Sequence, residues 1–593
     1  MDLNKYIEKV VDKIFSINKK TLALFGIFIV GFIIRVLAAL RNKISADEMV
    51  HGVHSIGFIN SGKLQIMDQG ALWFWMSDFF MKLFGTNIIG IKFTSILFGS
   101  LLLVVIYFIA KELFDKKTAL ISILISLISY FQLDNMEASL DITMTFFVFL
   151  SIYFFIIFTK NKDKKYFYLI WISIGLAVMS KPVALPFAFS IFICSAYYHF
   201  IKNKSVKLKD YLLAGLLLFV MFLPVLTFNL LLYQEKGIVD LQFARFTGIS
   251  FETYKAIAPT IEGFNAKSLI IAESGNSPGL AKAFSFLYTY ESSALLLFSL
   301  IGLFYFFKNK DKFAIFLSLT FLIPFIFLAG TSLLPNHFVF ASFYAVLFAA
   351  HGINKISITR PIKKYSKQFI YIIIALIIII SYIQVRNGDV HGLFGQKDPL
   401  GQTIDFKEED IPENAIVVSD GRIYRGRTVF MFWDRNYIEG STFIEILSNM
   451  DDIPGERVTL KVYYIECIPD DCGWGTIKDQ PEFNSSMEQL VKLFSTQSEL
   501  VKTINDVDGK PYFNIYSAEI IMKSSVPSLI KSTHEWFYYP VNYQPKERIF
   551  DNYETQGFFS TLLDTTAHWV LYLELILAGL SVIYIFYLIL GER

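Results

Sequence analysis

The sequence predicts an α-helical polytopic membrane protein that carries a polar α/β domain outside the cytoplasm near its C-terminal end. Three observations predict it. Of the 593 residues, 54% are hydrophobic and 18% are charged, where a soluble chain carries charge at about a quarter of its positions. The apolar residues gather into runs of about 16 to 24, which at about 1.5 Å per residue cross roughly 30 Å of hydrocarbon. Finally, Lys and Arg concentrate in alternate loops, and a polar block precedes the last apolar run.

Twelve runs qualify as spans: Thr21–Leu40, Ile88–Ala110, Thr118–Leu133, Ile142–Thr159, Tyr166–Ser180, Val183–Phe200, Tyr211–Tyr233, Phe284–Phe307, Phe313–Leu333, His337–Ile353, Phe369–Val385 and His568–Leu590. In lipid the backbone must satisfy its own hydrogen bonds, so each is predicted to be helical. The N-terminal segment is Lys-rich and lacks the pattern of a cleaved signal peptide. With that segment in the cytoplasm, the cytoplasmic stretches are 1–20, 111–117, 160–165, 201–210, 308–312 and 354–368, which together hold 24 Lys and Arg. The short outer loops hold Arg41, Lys43, Lys63, Lys82 and Lys181. This asymmetry is what the positive-inside rule requires.

Three domains follow. Residues 1–385 form the membrane domain, with long outer loops at 41–87 and 234–283; residues 386–567 form the outer domain; and residues 568–593 hold the last span. The outer domain alternates strand-like runs (Ala415–Ser419, Val458–Cys467, Tyr512–Tyr516) with helix-like runs (Thr442–Asn449, Ser486–Ile504), the pattern of a small α/β domain. Cys467 and Cys472 flank Ile-Pro-Asp-Asp there. A disulfide is expected outside the cytoplasm, with free thiols or a metal site as alternatives. Cys194 lies inside a span as a packing residue.

Charge near a membrane boundary is expensive unless it is paired or used. Four groups stand out, all on the outer face. Asp47 and Glu48 open the first outer loop, and adjacent carboxylates can divide proton acceptance from orientation. Arg35 lies inside the first span about one and a half turns from its outer end, either snorkelling to the interface or facing the bundle. The stretch Asp134–Asp141 carries three carboxylates and no base, with Glu137 and Asp141 four apart. Like charges so placed favour a cation nearby. Ser180-Lys181-Pro182 puts one cation at a Pro-broken helix end, in position to clamp a phosphate. Asp47 and His51 have a possible metal spacing, but with His54 they do not by themselves make a site. No cofactor is expected, a divalent metal being the alternative.

In order along the chain, these features resemble the GT-C superfamily of integral membrane glycosyltransferases. The similarity is greatest to the branch of the protein O-mannosyltransferases and the transferases that add aminoarabinose to lipid A. It covers roughly residues 20–385 and rests on Arg35, Asp47-Glu48, the interfacial stretch Asp68–Gly85, Glu137-Ala-Ser-Leu-Asp141, Gly175-Leu-Ala-Val-Met-Ser-Lys-Pro182 and Leu334-Pro-Asn-His-Phe338. The chain departs from the family pattern at Asp68-Gln69-Gly70 and at Ala138-Ser139, changes that bear on sugar and acceptor more than on reaction type.

The resemblance implies a polyprenyl-phosphate-linked sugar donor, an inverting displacement, and an acceptor hydroxyl on a protein, lipid or glycan at the outer face. Nucleic acid is not an expected partner; membrane lipid is. In this chemistry Asp47 is the expected base and Glu48 its support. Arg35, Lys181 and Arg245 are candidate partners of the donor phosphate, with Glu137 and Asp141 among the substrate-binding residues. A flippase of lipid-linked sugars is the main alternative. Such transporters show matching, broken halves, and no such halves are found here, while the charges gather at one face. A scaffold would need far fewer spans to anchor its outer domain.

Overall fold

The computed structural model describes residues 18–45, 48–49, 51–52, 55, 70–237, 239, 243, 279–309, 311–331, 334–359, 362–387, 397–423, 425–469, 472, 488–494, 496, 498–506, 508–532, 553, 555 and 557–592. They fall into two compact units. One comprises residues 1–40, 63–388 and 552–593, the other residues 41–62 and 389–551.

The first unit is a helical membrane bundle. Among the described residues, eight helices are long and apolar enough to cross a membrane: Thr21–Arg41, Ile88–Leu113, Leu140–Asn161, Pro182–Lys202, Ala314–Thr331, Pro335–Ser357, Lys363–Gln384 and Phe558–Leu590. Two further crossings are bent pairs. Leu208–Met221 meets Leu223–Glu235 at 49°, where Pro224 starts the second helix, and Gly279–Tyr290 meets Ser293–Lys308 at 117°.

Two runs expected to span are shorter than that. Thr118–Leu133 divides into Lys116–Ser126 and Tyr130–Asp134, because the Ser129 hydroxyl caps the second piece by accepting from the Gln132 N–H. Tyr166–Ser180 becomes Lys164–Ser180, 17 residues that end where Pro182 forbids continuation. Helices Ser293–Lys308 and Val339–Ser357 pack backbone to backbone through Gly302 and Gly352: a Cβ on Gly302 would lie 1.8 Å from the Phe348 carbonyl oxygen.

The basic loops share one end of this bundle. Asn18 and Thr21 donate to the Glu592 carbonyl. The Glu592 carboxylate takes Lys111 and Lys116 as ion partners and accepts from the Tyr107 hydroxyl. Lys160 pairs with Glu112 at 2.7 Å, and Lys164 with Asp210 at 2.9 Å. The Tyr198 hydroxyl donates to the Lys312 carbonyl, Asn354 to Asp115, and Lys117 to Ser357 and Ser366. Burial pushes the Glu592 carboxyl up, but Lys111 and Lys116 more than offset it and hold it below the ordinary carboxylate range.

The second unit is an α/β domain built on a five-stranded sheet. Its strands are β1 (Ile416–Ser419), β2 (Asn436–Glu439), β3 (Arg457–Cys467), β4 (Glu499–Asn505) and β5 (Pro511–Lys523), in the order β2-β1-β3-β5-β4. β1 runs parallel to both β2 and β3, with Val417 opposite Tyr437 and Tyr463. β5 is antiparallel to β3 and β4.

Val418, Ile438, Phe443, Val462, Tyr464 and Phe494 fill one core of the domain. The expected helix 486–504 is not continuous: among the described residues, 488–494 and 496 are helical, and Glu499–Asn505 is the edge strand β4. Cys467 and Cys472 are joined by a disulfide that ends β3, and Cys472 bridges Ile423 beyond β1. The Asp420 carboxylate ties the same corner. It accepts from the Cys467 N–H at 3.1 Å and from Arg422, which also donates to the Cys467 carbonyl.

Candidate active site

Helix Lys164–Ser180 starts among the basic loops and rises for 17 residues, about 25 Å, so Lys181 caps it at the opposite end of the bundle. The Lys181 backbone is extended, and its N–H donates to the Ala177 carbonyl at 2.9 Å. At this level Gly70 crosses the helix end so closely that a Cβ there would lie 2.0 Å from the Met179 carbonyl oxygen.

Asp141 comes from the neighbouring helix Leu140–Asn161. Ser139 caps that helix, and its hydroxyl also donates to Asp141 Oδ2 at 3.0 Å. Ser95 holds the cap in place through the Ser139 carbonyl at 3.0 Å. Lys181 Nζ lies 2.7 Å from Asp141 Oδ2, with both side chains buried. His337, in the turn Pro335–Phe338, is within electrostatic reach of the same carboxylate. Asp141 Oδ1 is buried with no hydrogen-bond partner among the described residues. An apolar cleft of about 210 Å³ runs beside this helix end, lined by Ile174, Val178, Met179, Leu185, Leu218 and Phe222.

Arg35 faces the bundle and does not snorkel; it is fully buried. Its guanidinium donates to three neutral oxygens, the carbonyls of Gly31 and Ser126 and the Gln132 side chain at 3.3 Å. Its Nε has no hydrogen-bond partner among the described residues.

The remaining expected residues divide as follows. Glu137 is buried in the loop before Asp141. Glu48 is buried in the second unit, where its N–H donates to Ser45 and the neighbouring Ile44 N–H donates to Asp398. Asp47, His54 and Arg245 lie outside the described residues. The structure thus brings Asp141 and Lys181 together and adds His337. It places Arg35 beside Gln132, and it puts Glu48 in the other unit.

Within the expected spans, three further buried charged residues escaped sequence reasoning. Lys92 is buried inside the second span and donates to the Ala39 carbonyl at 2.8 Å. Glu574 is buried in the last span, and neither carboxylate oxygen has a hydrogen-bond partner among the described residues. Glu291 is buried at the 117° bend. Each stands alone in an apolar run, and that isolation was the available signal. Among the described residues, no cluster of three or more His, Cys, Asp or Glu is placed to hold a metal ion.

Residues 68–228, which contain both Asp141 and Lys181, match the family profile of dolichyl-phosphate-mannose-protein mannosyltransferases. The structure superposes on apo ArnT from Cupriavidus metallidurans with a TM-score of 0.52, covering 84% of this chain and 97% of that one at 11% identity. The chain shares the fold of ArnT. ArnT from the same organism bound to undecaprenyl phosphate gives a TM-score of 0.50 at 11% identity, covering 84% of this chain and 98% of that one. An uncharacterized protein of Aquifex aeolicus (strain VF5) is 30% identical over 139 residues, which is 23% of this chain and 28% of that relative's length. In this fold, the ion pair Lys181–Asp141 and the buried Arg35 belong to the membrane unit, and the disulfide lies in the sheet domain.

Proposed function

We propose that this protein transfers a sugar from a polyprenyl-phosphate donor to an acceptor hydroxyl at the extracytoplasmic face of the membrane, with inversion at the anomeric carbon. The observation that carries this is the buried Lys181–Asp141 pair set beside an apolar cleft at the bundle end remote from the basic loops. A prenyl-phosphate sugar has matching parts. The isoprenoid lies along the cleft, where each buried CH₂ contributes about 0.8 kcal/mol, and the phosphate reaches the cation two residues beyond Met179. ArnT, whose fold this chain shares, is seen bound to undecaprenyl phosphate, which supports the same ligand class.

In the transfer step the acceptor oxygen attacks the anomeric carbon as the bond to the phosphate oxygen breaks. The bonding pair leaves with the phosphate, and the acceptor proton passes to a carboxylate. The oxocarbenium character of such a transition state is stabilised by fixed charges around the leaving group. Lys181 and Arg35 neutralise the departing phosphate, with Arg245 as a third cation, Arg offering a bidentate fork. Asp47 is the base, supported by Glu48. Asp141 Oδ1 accepts a hydroxyl of the sugar, and Glu137 lines the same loop. The sheet domain positions the acceptor.

The test is made in proteoliposomes loaded with radiolabelled polyprenyl-phosphate sugar and supplied with an extract of candidate acceptors. Glycosyl transfer moves the label onto acceptor and liberates polyprenyl phosphate in equal amount. Label that crosses the bilayer still attached to its lipid would instead identify a flippase.

A further inference from the structure

At the bend between helices Gly279–Tyr290 and Ser293–Lys308, a buried carboxylate is held by hydroxyls from two other segments. Glu291 Oε1 accepts from Ser129 at 2.7 Å and from Ser342. Its backbone carbonyl accepts from Gln384 at 3.1 Å. The neighbouring Tyr290 stacks on Phe131 at 4.8 Å and on Tyr130 at 5.5 Å, which fastens the bend to the short helix Tyr130–Asp134. That helix carries Gln132, whose side-chain amide donates to Ser342 at 3.1 Å and whose side-chain oxygen accepts from Arg35 at 3.3 Å.

The bonds have one direction. Arg35 can only donate, so Gln132 presents its oxygen to Arg35 and its NH₂ to Ser342, and the Ser342 hydroxyl is left to donate to Glu291. Each donor therefore points from the cation towards the carboxylate. In a low-dielectric interior, such aligned bonds polarise one another and stiffen the chain. A buried carboxylate is costly in a membrane bundle, and a leucine or methionine would pack the same bend. What Glu291 adds is a fixed end for a relay whose other end is the guanidinium. The relay holds one of the two Nη groups and leaves Nε without a partner among the described residues.

We infer that Glu291 is a positioning residue for the donor phosphate, fixing Arg35 through Ser342 and Gln132 so that an unused N–H is presented to a phosphate oxygen. This rests on the proposed role of Arg35 at the donor phosphate.

The test is a set of steady-state measurements with varied polyprenyl-phosphate-sugar donor on Arg35→Ala, Glu291→Ala, Glu291→Gln, Ser342→Ala and the Arg35→Ala/Glu291→Ala double variant. Arg35→Ala raises donor KM about tenfold, the value of one charge-assisted hydrogen bond. Glu291→Ala and Ser342→Ala both raise donor KM while acceptor KM stays level, and Glu291→Gln, which keeps the acceptor oxygen, recovers part of the loss. The double variant is no worse than Arg35→Ala alone, because removing Glu291 has no effect once its target is gone. If the two single effects multiply in the double variant, Glu291 acts independently of Arg35; the inference is then overturned and the donor site stands. If Arg35→Ala keeps wild-type donor KM, Arg35 is not at the phosphate, and it is the proposed donor site that fails. Ser342→Ala, a small change within a helix, keeps the test meaningful should Glu291→Ala fold poorly.

Discussion

Lys181 and Asp141 meet at 2.7 Å, each almost wholly removed from solvent, where two helices that are neighbours in sequence end and begin. Breaking a buried pair by removing one partner leaves an uncompensated charge and costs about 3–5 kcal/mol. Lys181→Met is therefore expected to lower the melting temperature in detergent, and Lys181→Met/Asp141→Asn to regain most of it. Transfer is not expected to return in the double variant, because the phosphate has lost its cation. A double variant that recovers both stability and transfer would reduce the pair to a packing role.

Glu592 closes the basic end of the bundle by holding Lys111, Lys116 and Tyr107 through its carboxylate. Glu592→Gln should lower stability at neutral pH by about 1.5–3 kcal/mol, the range for hydrogen bonds to charged groups. The carboxyl lies below its ordinary value in the folded protein. Its contribution is thus complete above about pH 4.3, the unfolded value, and is lost as pH falls through the folded value. Melting curves of wild type and variant should converge under acid conditions; a gap that persists unchanged at low pH would count against the charge as its source.

The orientation is open to direct labelling. Cysteines introduced at Asp451, an exposed residue of the sheet domain, and at Lys162, in the turn between two helices of the membrane unit, report opposite sides. In intact cells an impermeant thiol reagent should reach the first and not the second. The reverse pattern would place the proposed chemistry on the cytoplasmic face.

Much of this was legible because apolar runs, end caps and Pro leave a local trace. Asp115, Ser139 and Asp163 each cap the helix that follows, and Pro182 marks the end that carries Lys181. The bend at Glu291 was not legible, because the run 284–307 is apolar on both sides of it and only Glu-Ser-Ser interrupts it. β4 was absorbed into a helix since 486–504 spaces its apolar residues to suit either period, while β2 has only four residues. The clustering of residues 41–62 with the sheet domain depends on long-range contacts, such as the Ile44 N–H donating to the Asp398 carboxylate, that no local pattern encodes. Lys92 and Glu574 look like accidents in apolar runs until their burial is seen.

The central claim is tested most directly by the rate at which purified protein releases polyprenyl phosphate from a polyprenyl-phosphate sugar in the presence of acceptor, in wild type and in Asp47→Asn. Asn keeps the size and hydrogen bonding of Asp and removes its basicity. If Asp47 takes the acceptor proton, the variant should lose about 10²–10⁴-fold in rate while still binding the lipid donor, and Glu48→Gln should lose less. Transfer at near wild-type rate by folded Asp47→Asn and by Glu48→Gln alike would contradict the account of this loop as catalytic.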